Sequence, residues 1–146
     1  MSEEQQQLLQ RIYTEQQLTD SNISLLQQRL EIIQAYLTNY QSGLLVLKEI
    51  EGKKEDEEML LNVGGSIFIE AKLVNPSKVT RSIGSGVRIN QSVGEAKKAV
   101  EEAISGLEKQ YNTLAEEYQK LIARSQVLNN QFQQLAAKIQ ESSPEE

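Results

Sequence analysis

The sequence predicts an α+β chain: a long antiparallel coiled-coil helical hairpin with a central four-stranded oligomerisation segment made of two β-hairpins. Three observations carry this. Apolar residues recur at alternating spacings of three and four from Leu9 to Leu47 and again from Val100 to Ile139, as on helices that pack along a seam. Between those runs lie six of the eight glycines, Gly52 to Gly94, and apolar residues there alternate singly, as on half-buried strands. Finally, glutamine, leucine and glutamate dominate, and 38% hydrophobic with 5% aromatic residues is thin for a compact globule but suits coiled coil.

The N-terminal helix is expected over 5–51. Its a positions are Leu9, Gln16, Ile23, Leu30, Leu37 and Leu44, and its d positions Ile12, Thr19, Leu26, Ile33, Tyr40 and Leu47, so ten of the twelve are apolar. Gly52 suits a left-handed C-terminal cap, ahead of the charged loop "KKEDEE".

The central segment, 59–91, holds four short strands. "MLLNV" precedes Gly64 and Gly65; "SIFIEAKL" then places Ile67, Ile69, Ala71 and Leu73 on one face, with Phe68, Glu70 and Lys72 on the other. "NPSK" reads as a turn with Pro76 pre-set for its second position, followed by "KVTRSI" and "GVRINQ". The Gly-x-Gly of "IGSGVRIN" lacks the third glycine and following helix of a dinucleotide loop and the Gly-Lys-Ser/Thr of a P-loop. It reads as a hairpin turn with Gly84 or Gly86 at positive φ. Gly64 and Gly65 mark the other turn.

The C-terminal helix is expected over 92–141. Its d positions are Val100, Leu107, Leu114, Leu121, Leu128 and Leu135, and its a positions Ile104, Tyr111, Tyr118, Ser125, Phe132 and Ile139, eleven of twelve apolar. Ser92 and Glu95 form a capping box at its start. Two helices of about 70 Å, at 1.5 Å per residue, favour folding back on one another. Heptads alone also fit two coiled coils with other chains. Folding back pairs Leu9 with Ile139 and Leu44 with Val100, which sets Gln16 and Thr19 level with Ser125 as one polar layer.

Beyond that layer lie Leu8, Leu9, Ile12 and Tyr13 on one helix and Leu128, Phe132, Leu135 and Ile139 on the other. Two readings fit them: apolar tips that open towards a client, or ordinary seam packing to the end of the coil. A further line, Leu18, Leu25, Ile32 and Val46, occupies the c position outside the seam. It either faces a shared cavity or reflects leucine's helix propensity.

Short strands with open edges and little to cover them need other copies. Joining them edge to edge buries Ile67, Ile69, Val79, Val87 and Ile89, each contributing about 1.5–3 kcal/mol when fully buried. The alternative is packing back on the chain's own helices.

Catalytic chemistry is scarce. With no cysteine or histidine, there is no disulfide framework and none of the usual zinc, iron–sulfur or haem ligand sets, so no metal or cofactor is expected. "EDEE" lacks the order of a calcium loop. No carboxylate pair has a reason for a shifted pKa, and no serine has a histidine partner. Lys97, Lys98, Lys109, Lys120 and Arg124 are interleaved with acids, as on a solvated helix face. A net charge of -6 disfavours nucleic acid and anionic membrane, and the start "MSEEQQQ" has no signal-peptide character. A cytoplasmic protein that is not an enzyme is expected.

The block "LLNVGGSIFIEAKLVNPSKVTRSIGSGVRINQSVGEA" resembles the α-class subunits of prefoldin, through Gly65, Ile67, Phe68, Ala71, Lys72, Leu73, Ile83, Gly84, Gly86, Val87, Ser92, Glu95 and Ala96. The likeness extends along essentially the whole chain, and two hairpins look like the α rather than the β class. "VGGSIF" departs from the alternating Gly-x-Gly of many relatives at the first turn. The resemblance implies one prefoldin-like domain over 1–146 and an α2β4 hexamer with prefoldin β subunits. It implies assembly through Ile67, Phe68, Ile69, Leu73, Val79, Val87 and Ile89. It also implies nucleotide-independent capture of unfolded polypeptide clients at the eight tip residues, and delivery to a group II chaperonin. The alternative is a structural or adaptor coiled-coil protein without general client binding.

Overall fold

A computed structural model describes residues 1–143; Pro144 and the end of the domain expected over 1–146 lie outside the described residues. Two helices of 49 residues each, α1 (Glu3–Glu51) and α2 (Val93–Glu141), bracket four strands: β1 (Glu58–Gly64), β2 (Ile67–Lys72), β3 (Lys78–Gly84) and β4 (Val87–Ser92). The expected class, two long helices with two antiparallel hairpins, is the one observed. The chain forms two compact units, Met1–Gln34 with Lys109–Glu146, and Ala35–Glu108.

Within the first unit the helices run antiparallel. Leu8 and Ile12 share a groove with Leu135 and Lys138, whereas Leu25 and Arg29 share one with Glu117 and Leu121. The heptad seam is what they bury. Ile12, Thr19, Leu26 and Leu128 are buried, and Leu9, Gln16, Ile23, Leu30, Ile33, Tyr111, Leu114, Tyr118, Leu121, Ser125, Phe132, Leu135 and Ile139 are half-buried. A repeat of 3.5 residues keeps those positions facing the partner helix. α1 begins at Glu3 because Ser2 caps it: Gln5 N–H donates to Ser2 Oγ at 3.2 Å and Ser2 N–H donates to Gln5 Oε1 at 3.0 Å. This reciprocal box satisfies two backbone amides at the helix end.

In the second unit Leu37, Ile50, Val93, Ala96 and Ile104 are buried. Lys97 Nζ lies 3.2 Å from Glu51 Oε2, linking α2 to the end of α1. Two details depart from the heptad reading. Tyr40, a d position, is exposed, as befits a ring whose hydroxyl prefers water. Ile50 is buried where strict heptads place Glu51, so the seam shifts by one residue as α1 ends.

The expected left-handed cap at Gly52 is corrected. The chain does leave the helix there, but Gly52 is not among the glycines at positive φ. Instead Lys53 N–H donates to Ile50 O at 2.9 Å, a tightened last turn that satisfies a terminal carbonyl without αL geometry. The charged loop is tied to the first hairpin, since Asp56 N–H donates to Leu73 O at 2.7 Å and Leu73 N–H to Glu57 O at 3.0 Å.

β1 pairs with β2 and β3 with β4, each as a separate antiparallel two-stranded sheet. Both hairpins close the same way. Gly64 pairs with Ile67 and Gly84 with Val87, leaving two-residue loops Gly65–Ser66 and Ser85–Gly86. All four loop residues have positive φ (59°, 59°, 52° and 75°), the requirement of a type I′ turn. A bulge precedes each loop, between Asn62 and Gly64 and between Ser82 and Gly84, and there Gly64 and Gly84 stand at φ 97° and 104°. Between the hairpins, Asn75 Oδ1 accepts from Ser77 N–H at 3.1 Å and Ser77 Oγ at 2.8 Å, so the "NPSK" turn forms as expected.

Candidate functional site

Two surfaces stand out, one in each unit. In the second, the register of β1–β2 sets Met59, Leu61, Ile69 and Ala71 on one face and Glu58, Leu60, Asn62, Phe68, Glu70 and Lys72 on the other. In β3–β4, Val79, Arg81, Ile89 and Gln91 share a face, opposite Lys78, Thr80, Ser82, Arg88, Asn90 and Ser92. Of the residues expected to join subunits, Ile67, Phe68, Ile69 and Val87 are exposed, while Leu73, Val79 and Ile89 are half-buried. Every strand of a two-stranded sheet has an open edge, so backbone donors and acceptors accompany these side chains. Sequence reasoning missed Leu60, Leu61 and Val63, all exposed; the signal was the run "MLLNV", apolar on both strand faces.

In the first unit a polar layer crosses the seam. Gln16 Nε2 donates to Ser125 Oγ at 3.3 Å, and Ser125 Oγ donates to Asp20 Oδ1 at 3.1 Å. Thr19 beside it is 6% exposed. Gln16 Oε1 is buried and has no hydrogen-bond partner, a cost of about 1–3 kcal/mol for an unpaired buried acceptor. Arg124 donates through Nε and Nη2 to Glu15 Oε1, the Nε bond at 2.8 Å, and closes the layer on its solvent side. Gln16, Thr19 and Ser125 sit level as expected, whereas Asp20 and the Glu15–Arg124 pair lie outside the a/d positions and were not anticipated.

Beyond the layer the eight tip residues divide. Ile12 and Leu128 are buried, Leu128 with 0% exposure, so they hold the helices together. Leu9, Phe132, Leu135 and Ile139 are half-buried, and Leu8 and Tyr13 are exposed. Leu8, Ile12 and Leu135 form the apolar wall of a groove of about 430 Å³ whose rim carries Arg11, Glu15 and Lys138. An apolar floor with charged edges can hold an extended chain without selecting a sequence. Along the same unit Leu18, Leu25 and Ile32 stay exposed outside the seam, and Leu25 opens on a second groove of about 360 Å³ with Leu26 and Leu121.

Among the described residues no helix is long and apolar enough to cross a membrane, and no cluster of three or more acidic side chains is placed to hold a metal ion.

Comparison with known proteins gives a consistent answer. A family model described as "Prefoldin subunit" matches residues 19–138. "Prefoldin subunit alpha" of Archaeoglobus fulgidus is 28% identical over 124 residues, covering 85% of this chain and 88% of that protein. Among solved structures, a filamentous PFD from Methanocaldococcus jannaschii superposes with a TM-score of 0.62 at 23% identity, over 79% of this chain and 95% of that one. The prefoldin beta subunit from Thermococcus strain KS-1 superposes with a TM-score of 0.58 at 20% identity, over 87% and 90%.

Proposed function

The chain belongs to the prefoldin family, whose subunits are chaperones rather than enzymes, and on that footing we propose that it is the α-type subunit of an ATP-independent co-chaperone. In this reading the chain works as one prefoldin-like domain over 1–146 in the cytoplasm. Two copies join four prefoldin β subunits through the hairpins, using Ile67, Phe68, Ile69, Leu73, Val79, Val87 and Ile89. Non-native polypeptides are held at the free helix ends and passed to a group II chaperonin.

The observation that supports capture is the exposure of Leu8 and Tyr13 beside the groove walled by Ile12 and Leu135. No single contact there is deep. Several such ends acting on one client raise the effective affinity without a pocket, because each further contact is intramolecular. The chain's net charge of -6 keeps the loaded complex dispersed. Ile12 and Leu128 maintain the coil at rest and reach a client only where the helix ends part.

Truncation tests this directly. A hexamer whose α-type chains lack Met1–Tyr13 and Gln126–Glu146 is expected to assemble but to lose protection of a chemically denatured client, measured by light scattering. Leu8→Ser with Tyr13→Ser is expected to reduce protection while leaving the coil intact by circular dichroism. Undiminished protection by the assembled, truncated hexamer overturns capture at these ends.

A further inference from the structure

The coil of the first unit has two unlike sides. In an antiparallel pair the g positions of one helix adjoin those of the other, with the c positions outside them, and the Glu15–Arg124 pair joins two g positions. Aliphatic side chains left in water gather on this side. Leu8 at g and Leu18, Leu25 and Ile32 at c are exposed there on α1, as is Val127 at c on α2. Both seam grooves open on it, the one walled by Leu8, Ile12 and Leu135 and the one walled by Leu25, Leu26 and Leu121. A third groove shares Arg11 and Glu15 with the first and reaches Leu18.

Charge is sorted the same way. Arg11, Arg29, Lys120, Arg124 and Lys138 all occupy g or c positions, against Glu15 and Glu117. Glu4 and Glu141, also at c, lie near the outer ends of the helices, beyond Leu8 and Lys138. The b and e positions of the same unit hold Glu3, Asp20 and Glu31 and, among the described residues, no cation. Glu15 is engaged by Arg124, whereas Arg11, Arg29, Lys120 and Lys138 are exposed and in no ion pair among the described residues. On a chain with a net charge of -6, a cationic side lined with aliphatic residues is more than a solvated face, on which the two signs alternate.

Spacing sets what fits there. Leu18, Leu25 and Ile32 recur every seven residues, about 10.5 Å apart at 1.5 Å per residue, which is the repeat of an apolar seam on a second helix. An extended strand, advancing about 3.4 Å per residue with alternating faces, has no such repeat. We propose that this side of the coil docks an acidic amphipathic helix of a partner protein. Aliphatic residues of that helix lie along Leu18, Leu25 and Ile32, and its flanking carboxylates meet Arg11, Arg29, Lys120 and Lys138. The surface stands apart from client capture at the helix ends.

The probe is a fluorescein-labelled peptide of about three heptads with Leu at a and d and Glu at e and g, titrated with the full chain and followed by anisotropy at about 0.15 M salt. A second peptide carries Lys in place of Glu. The Glu peptide is expected to bind roughly tenfold more tightly than the Lys peptide, and to weaken as salt rises towards about 0.5 M. Arg11→Gln/Arg29→Gln/Lys120→Gln is expected to weaken it roughly tenfold, whereas Gln17→Glu/Gln27→Glu/Gln119→Glu, an equal change of net charge on the b and e side, changes it less than about twofold. Leu18→Gln/Leu25→Gln/Ile32→Gln is expected to weaken it roughly tenfold as well. All the substituted side chains are exposed, and circular dichroism matching wild type checks that each variant is folded.

No binding of the Glu peptide, equal binding of the two peptides, or equal losses in the two charge variants would each overturn the proposal. Binding to phosphatidylglycerol vesicles without binding to the peptide would assign this side to a membrane, and self-association of the chain abolished by the Leu18, Leu25 and Ile32 substitutions would assign it to a second copy; either result overturns it. A hexamer that protects a denatured client while its α-type chain ignores the peptide overturns this proposal alone and leaves the co-chaperone reading standing.

Discussion

Gln16 shows how a single side chain can be legible in position and illegible in consequence. Its place on the heptad, level with Ser125, follows from counting, and the structure puts the two side chains 3.3 Å apart. That Oε1 is then left buried without a partner depends on the rotamer and on neighbours such as Asp20, which no periodicity supplies. A polar group inside a coiled-coil seam lowers stability and specifies register. Replacing the layer by Gln16→Leu with Ser125→Leu is therefore expected to stabilise the chain by about 1–3 kcal/mol in urea unfolding. No gain would show that the buried oxygen costs nothing, as it would if water reached it. Leu128 is the opposite case: a d-position leucine expected in the seam or at a client, and found with no exposed surface, because packing around one residue is a property of both helices.

At the scale of elements, the ends of helices and hairpins carry most of what local chemistry can dictate. Ser92 is read as a cap from the Ser-x-x-Glu spacing, and Glu95 N–H donates to its Oγ at 3.1 Å. Ser92→Ala is expected to cost about 1 kcal/mol, read as a lower midpoint of thermal unfolding; an unchanged midpoint would show that the β4 ladder alone anchors α2. The same Ser-x-x-Gln signature at Ser2 and Gln5 starts α1 at Glu3, two residues ahead of the expected start at residue 5. In the hairpins, one positive-φ glycine was expected at Gly84 or Gly86, and both have it, with Ser85 between them. The excess arises because a two-residue type I′ loop follows a bulge, and the bulge is set by strand pairing rather than by the loop residues. Gly52 failed for a related reason: glycine permits αL but does not require it.

For the molecule as a whole, the proposed assembly rests on the hairpins and the proposed capture on the helix ends. Ile69→Asp with Ile89→Asp places a carboxylate on the apolar face of each sheet and is expected to prevent hexamer formation with β subunits, read by native mass spectrometry. A hexamer of unchanged mass would remove the hairpins from the interface. The class and order of elements, most of the seam, the two hairpin turns and the likeness to prefoldin are legible in the amino-acid sequence alone, because each is written in local spacing: 3.5 for the seam, 2 for the strands, a glycine in each hairpin loop. Only the tertiary structure decided which apolar residues are spent. Ile12 and Leu128 go inside while Leu8 and Tyr13 stay out, and the register brings Glu58 and Leu60 of β1 onto the face of Phe68 and Glu70 of β2. Burial and facing depend on the partner element and its register, and those are settled between segments far apart in the chain.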